Sequence, residues 1–250
     1  MLRIGDEITA DQLDPAARAE LRTLPSDLAD SVARYLVASG LQEDPEQAYL
    51  YASQARRLAA RVGVVREACG IAAYRAGEWA QALAELRAAR RLTGRDSSLP
   101  LMADSERALG RLDRALAIVQ GPEARALDRA TQIELAIVES GIRRDQGLAD
   151  AAMLALQVPE LTDGRVYPWS ARLFYAYADA LLEAGHRDEA RDWFARAAAA
   201  DTDEETDAAE RFEELDDVII EDLVEPDADS EERGEPDASP EDRGPGGGLS

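Results

Sequence analysis

Few side chains in this 250-residue sequence are equipped for covalent or metal chemistry. His186 is the only histidine and Cys69 the only cysteine, so no His/Cys metal spacing can be written and no internal disulfide can form. All 28 basic residues are arginine. Without lysine there is neither a phosphate-loop lysine nor a Schiff base. His186 directly follows Gly185, the place of a solvated turn residue rather than of a general base. The run Gly246-Gly247-Gly248 has no strand before it and no helix after it, and so reads as a flexible end, not a phosphate cradle. The acid pairs Glu204-Glu205 and Asp216-Asp217 read as solvated charge on an exposed helix. Cys69, beside Gly70, behaves as a small apolar residue in a packed helix. The expectation is therefore a protein that is not an enzyme and holds neither metal nor cofactor. Binding chemistry remains. Arginine pairs with carboxylates in a bidentate fork, and tyrosine supplies an apolar anchor. Which of these residues act together depends on the elements that position them.

Composition points to helices. Ala, Leu, Arg and Glu abound, and only 5% of the residues are aromatic, so strand-favouring side chains are scarce. Asp14-Pro15 opens an early helix, aspartate as cap and proline at the first helical position, with Ala17, Leu21 and Leu24 along its apolar side. Pro25-Ser26 ends it and caps the next, whose face is Leu28, Val32, Tyr35 and Leu36; Asp44-Pro45 starts another on Ala48, Tyr51, Ala52 and Ala55. Residues 78–92 place Trp79, Leu83, Leu86 and Ala89 on one helical face.

A longer period overlies the helical one. Ala48, Ala82, Ala115, Ala152 and Ala190 are separated by 34, 33, 37 and 38 residues. Gly77, Gly110, Gly147 and Gly185 precede four of them by five positions, while Glu43 takes that place before Ala48. A glycine inside a helix costs about 0.5–1 kcal/mol relative to alanine, so glycines recurring at one phase imply a backbone requirement. Each is read as the left-handed residue at which one helix ends and the chain reverses. The alanine that follows lets two helices approach where a larger side chain would wedge them apart. A large residue follows four further on: Leu86, Val119 and Phe194.

On these residues the chain resembles the tetratricopeptide-repeat family, a helical hairpin repeated about every 34 residues. Residues 63–96 match through Gly70, Gly77, Trp79, Ala82, Leu86 and Ala89; residues 171–204 match through Gly185, Ala190, Phe194 and Ala197. The copies at 29–62, 96–129 and 133–170 keep the alanine but lose most aromatics, and the longer spacings place insertions at Gly121-Pro122 and at 158–168. In overall form the chain also resembles actinobacterial proteins with such repeats and charged low-complexity ends. The resemblance implies an all-α fold, a right-handed α-solenoid of about five hairpins with a C-terminal capping helix. The corresponding division is an N-terminal helical segment (1–26), the repeats (27–200), an acidic capping helix (201–223) and a disordered acidic tail (224–250). In the family, the first helix of each hairpin lines a concave groove for peptides or partner helices. Carried over by repeat phase, groove positions are Val37, Ile71, Tyr74, Arg75, Asp104, Arg107, Arg144, Tyr175 and Asp179, with Arg34 as an extension at a less favourable phase. Arg75, Arg107 and Arg144 then form a ladder able to take carboxylates, unless each pairs locally, as Arg107 would with Asp104. Relatives that clamp chaperone tails use groove lysines and asparagines, and this sequence has neither.

Charge divides the chain. Residues 201–250 hold 21 of the 51 acidic residues and three arginines, a net −18 of the total −23. The segment 203–223 still carries Ala208, Phe212, Leu215 and Ile219 on one face, as a cap on the last apolar surface of a stack requires. Beyond Val224 the sequence is rich in Pro, Gly, Ser and acid, a composition that does not offset its ordering entropy. Such a field repels nucleic-acid backbones and anionic membranes. No apolar run approaches the roughly 20 residues that span a bilayer, and the first residues lack an export signal, so a cytoplasmic location is expected. The reading is an adaptor for another protein or peptide. A regulatory subunit of an enzyme or transcription factor and a nucleic-acid-binding repeat protein stand as alternatives. The acidic tail is also expected to be able to dock on the arginine ladder.

Overall fold

A computed structural model describes residues 2–224 of the chain, the last eight as helix path only. Residues 225–250, where the expectation of a disordered or docking tail falls, lie outside the described residues. Five helical hairpins follow one another. They are α2 (Ser26–Gly40) with α3 (Pro45–Ala59), α4 (Gly63–Arg75) with α5 (Trp79–Thr93), and α6 (Leu99–Ala108) with α7 (Leu112–Val119). Then come α8 (Arg129–Asp145) with α9 (Ala149–Ala155), and α10 (Ser170–Glu183) with α11 (Arg187–Ala200). A short helix α1 (Pro15–Glu20) precedes them and α12 (Ala208–Val224) follows, and no strand occurs among the described residues. Each helix packs on its hairpin partner and on the next hairpin, and the first helices α6, α8 and α10 also touch in succession. The result is an α-solenoid, a stack held by nearest-neighbour contacts.

The recurrent glycines do what the spacing predicts. Gly77, Gly110, Gly147 and Gly185 have φ of 73°, 71°, 72° and 87°. At each, the glycine N–H donates to the carbonyl three residues back, and the next N–H donates to the carbonyl five back, as in Glu78 to Ala73 (2.9 Å) and Leu148 to Arg143 (2.9 Å). This is the two-bond closure that ends a helix in a left-handed residue. The first hairpin, which has Glu43 in place of glycine, turns differently through Leu41–Asp44. The five phase-matched alanines are all buried, each at most 1% exposed. The two helices approach closely at Gly70, where an added Cβ would lie 2.7 Å from the Leu86 side chain and 3.1 Å from its backbone nitrogen.

Apolar side chains form successive clusters along the stack. Leu21, Val32, Leu36, Val62 and Val65 fill the first; Leu86, Met102, Leu135 and Ile142 the second; Ile133, Leu173, Phe174 and Phe194 the last. Buried carboxylates lie between these layers. Glu106 is fully buried and held by Arg87 and Arg111, and Glu85 by Arg66 and Arg56. Ala208 and Leu215 of α12 join the last cluster.

Two local expectations are corrected. Asp14 and Asp44 cap α1 and α3 through their carboxylates, but Ser26 is the first residue of α2 and caps nothing, because Pro25 takes the cap position. The helix opened by Asp14 ends at Glu20, and Leu21–Thr23 tighten into a 3-10 turn; Leu21 is fully buried and Leu24 packs, partly buried, against the same cluster. The two insertions fall where the spacing places them, between α7 and α8 and between α9 and α10, each holding a short 3-10 turn.

Candidate partner-binding groove

The first helices of consecutive hairpins enclose a cavity of about 360 Å³. Leu101 from α6, Ile137 and Val138 from α8 and Ala176 from α10 supply its apolar surface, with Tyr74 of α4 and Tyr175 of α10 also in the lining. Of the residues assigned to a groove by repeat phase, Tyr74, Asp104, Arg107, Arg144, Tyr175 and Asp179 come together here. Ile71 and Arg75 are exposed on α4 outside the lining, and Val37 is buried in α2. Arg34 is drawn off by the N-terminal segment: its guanidinium donates to the carbonyls of Ile8 (2.7 Å) and Gly5 (3.1 Å). Those carbonyls lie in an irregular stretch without helical partners, and a guanidinium reaching from α2 satisfies them.

The groove arginines are cross-ties between neighbouring first helices. Arg107 donates to Asp104 on its own helix (2.8 Å) and to Asp145 on α8 (3.1 Å). Arg144 reaches from α8 to Asp179 (2.9 Å) and Glu183 (2.6 Å) on α10. Arg172 of α10 donates to Glu134 of α8 (2.7 Å). Gly141 makes room for the first of these, since a Cβ there would press within 3.4 Å of the Arg107 guanidinium. Burial pulls Arg107 and Arg144 downward, but their carboxylate partners more than reverse it, and both titrate above the usual arginine value. Of the three arginines expected to form a ladder, Arg107 and Arg144 stand in the lining and are paired within the chain, whereas Arg75 lies outside it.

The tyrosines are held as firmly. Tyr74 donates to Asp104 (2.6 Å) and meets Trp79 edge-on, with ring centroids 5.2 Å apart. Burial, aided by that bond, raises its hydroxyl well above the ordinary value. Tyr175 packs edge-on against Phe194 at 5.2 Å, and burial together with Asp207 pushes its hydroxyl up to about 12. Both stay neutral at any physiological pH. Glu134 is the exception among the acids: burial raises its carboxyl, and Arg172 offsets this only in part. Ser140, also in the lining, is 1% exposed, with its Oγ lacking any hydrogen-bond partner among the described residues.

Four helical hairpins closed by identical glycine turns, with a cavity on their first helices, decide the architecture. The fold is a tetratricopeptide-repeat solenoid. A thermophilic tetratricopeptide-repeat protein of Thermus thermophilus superposes with a TM-score of 0.55 at 18% identity, covering 80% of this chain and 98% of that one. The Naa15/Naa10 complex bound to HypK gives a TM-score of 0.33 at 16% identity, with 81% of this chain and 36% of that one covered. No protein-family model and no curated protein matches the sequence. Among the described residues no cluster of His, Cys, Asp and Glu is arranged to hold a metal, and no helix is long and apolar enough to cross a membrane.

Proposed function

We propose that this chain is a non-enzymatic adaptor that holds a segment of another protein against the first helices of its solenoid, acting in the cytoplasm. One observation carries the reading: apolar surface and two immobilised tyrosines converge on a single cavity across four hairpins. The cross-ties described above fix the relative positions of α6, α8 and α10, so the groove is formed before a partner arrives and little ordering entropy opposes binding. The lining offers paired acids and arginines but no cysteine or histidine, and His186 is exposed at a turn beside Glu189. A regulatory subunit would use the same groove and differ only in what the partner does when bound.

The test compares capture from a native extract by the full chain and by Ala176→Arg, which places a charged side chain in the cavity. Partners retained by the first and lost by the second support the groove. An identical captured set with both chains overturns it.

A further inference from the structure

The cavity continues past Tyr175 and Thr206, which it shares with a second depression of about 780 Å³ between α10 and the start of α12. The two differ in charge. The first lining balances three carboxylates against three guanidiniums, whereas the second carries Glu204, Glu205, Asp207 and Glu210 and no cation. Each arginine of the first already serves two carboxylates of this chain: Arg107 serves Asp104 and Asp145, Arg144 serves Asp179 and Glu183, and Arg172 serves Glu134 and Glu205. An incoming carboxylate must therefore break an existing pair to be received. An incoming cation meets Glu204, Asp207 and Glu210, which form no ion pair among the described residues. These acids are also exposed and so accessible to a partner.

Resting on the adaptor reading, we infer that the partner segment is basic: an apolar side chain enters the cavity between Tyr74 and Tyr175, and lysines or arginines on one side of it lie against Glu204, Asp207 and Glu210. Apolar burial supplies affinity, and charge complementarity supplies direction and encounter rate. The same field repels an acidic occupant, including the chain's own residues 225–250, whose composition is strongly acidic. This reverses the polarity expected from repeat phase alone, in which the arginines receive carboxylates.

The probes are dodecapeptides selected from a random displayed library on the full chain, then synthesised and titrated by fluorescence anisotropy. The expected result is enrichment of peptides with an apolar residue and lysines or arginines to one side of it. Their affinity should fall about tenfold or more in Glu204→Arg/Glu210→Arg and weaken as salt rises. Enriched peptides that are neutral or acidic overturn the inference, as does an affinity that the charge reversal leaves within about twofold. If those peptides are still lost on Ala176→Arg or Thr206→Arg, variants first confirmed folded by circular dichroism, the adaptor reading survives without its polarity. Failure to enrich any peptide, or binding indifferent to both blocking variants, overturns the two together.

Discussion

Hairpins α4–α5 and α10–α11 share their turns with α6–α7 and α8–α9, yet the two pairs serve different ends. In the first pair the second helix runs for 15 and 14 residues. In the other pair it runs for only 8 and 7, and the chain then passes through a 3-10 insertion before the next hairpin. Large side chains without exposed surface occur in both: Leu86 and Phe194 in the regular hairpins, Ile133, Ile142 and Leu156 around α8–α9. The irregular ones contribute α6 and α8, which provide most of the cavity lining. Both kinds of hairpin build the stack, while those that depart from the repeat pattern supply most of the surface on which a partner would rest.

The comparison can be broken by denaturation experiments. Phe194→Ala should cost about 3–5 kcal/mol, because a fully buried ring is removed from the last cluster. Trp79→Ala, at the turn of the other regular hairpin but only half-buried, should cost about 1–3 kcal/mol. Equal losses would show that both regular hairpins rest on their aromatic residues alike. Next in size is Gly70→Ala. The added methyl meets Leu86, and the gain in helix propensity does not offset the overpacking, so a loss of about 1–3 kcal/mol is expected in urea titrations. Ser140 stands at the same repeat phase in an irregular hairpin and should answer with the opposite sign. Replacing its unpartnered buried hydroxyl by Ser140→Ala should raise stability by about 0.5–1 kcal/mol. A destabilised Ser140→Ala would mean that the hydroxyl has a partner and that the two hairpins are alike at this position.

The turns were legible because a left-handed residue leaves a chemical mark. Glycine at one phase, followed by a small residue five on, is visible without any knowledge of contacts. The alanines were legible for a similar reason, since each marks a helix crossing. Repeat phase also placed Tyr74, Asp104, Arg107, Arg144, Tyr175 and Asp179 on one surface, because helical spacing within a repeat fixes which residues share a face. Pairing across the stack was not legible. Arg34 finds carbonyls 26 and 29 positions away, and Arg172 finds Glu134 38 positions away. Only the stacking angle of neighbouring hairpins decides which charges meet. Ile71 and Arg75 occupy inner-helix phases yet lie outside the cavity, to which α4 contributes Tyr74 alone. Glu204 was read only as solvated charge on a helix, whereas it lies in the loop before α12, and Asp207 and Glu210 were not singled out, since residues 201–210 belong to no repeat and have no phase to carry over. The signal that could have found them is the crowding of acid immediately after Ala200, where a stack has its end.

The connection between α9 and α10 has an accessory consequence. Leu161 anchors it in the core and Arg129 grips Glu160, yet its tip, residues 162–166, is fully exposed and turns through Gly164 at φ of 77°. Chain can be spliced in at such a tip without disturbing buried backbone. A fluorescent module or an affinity handle inserted after Asp163 would ride on the solenoid while leaving both cavities untouched.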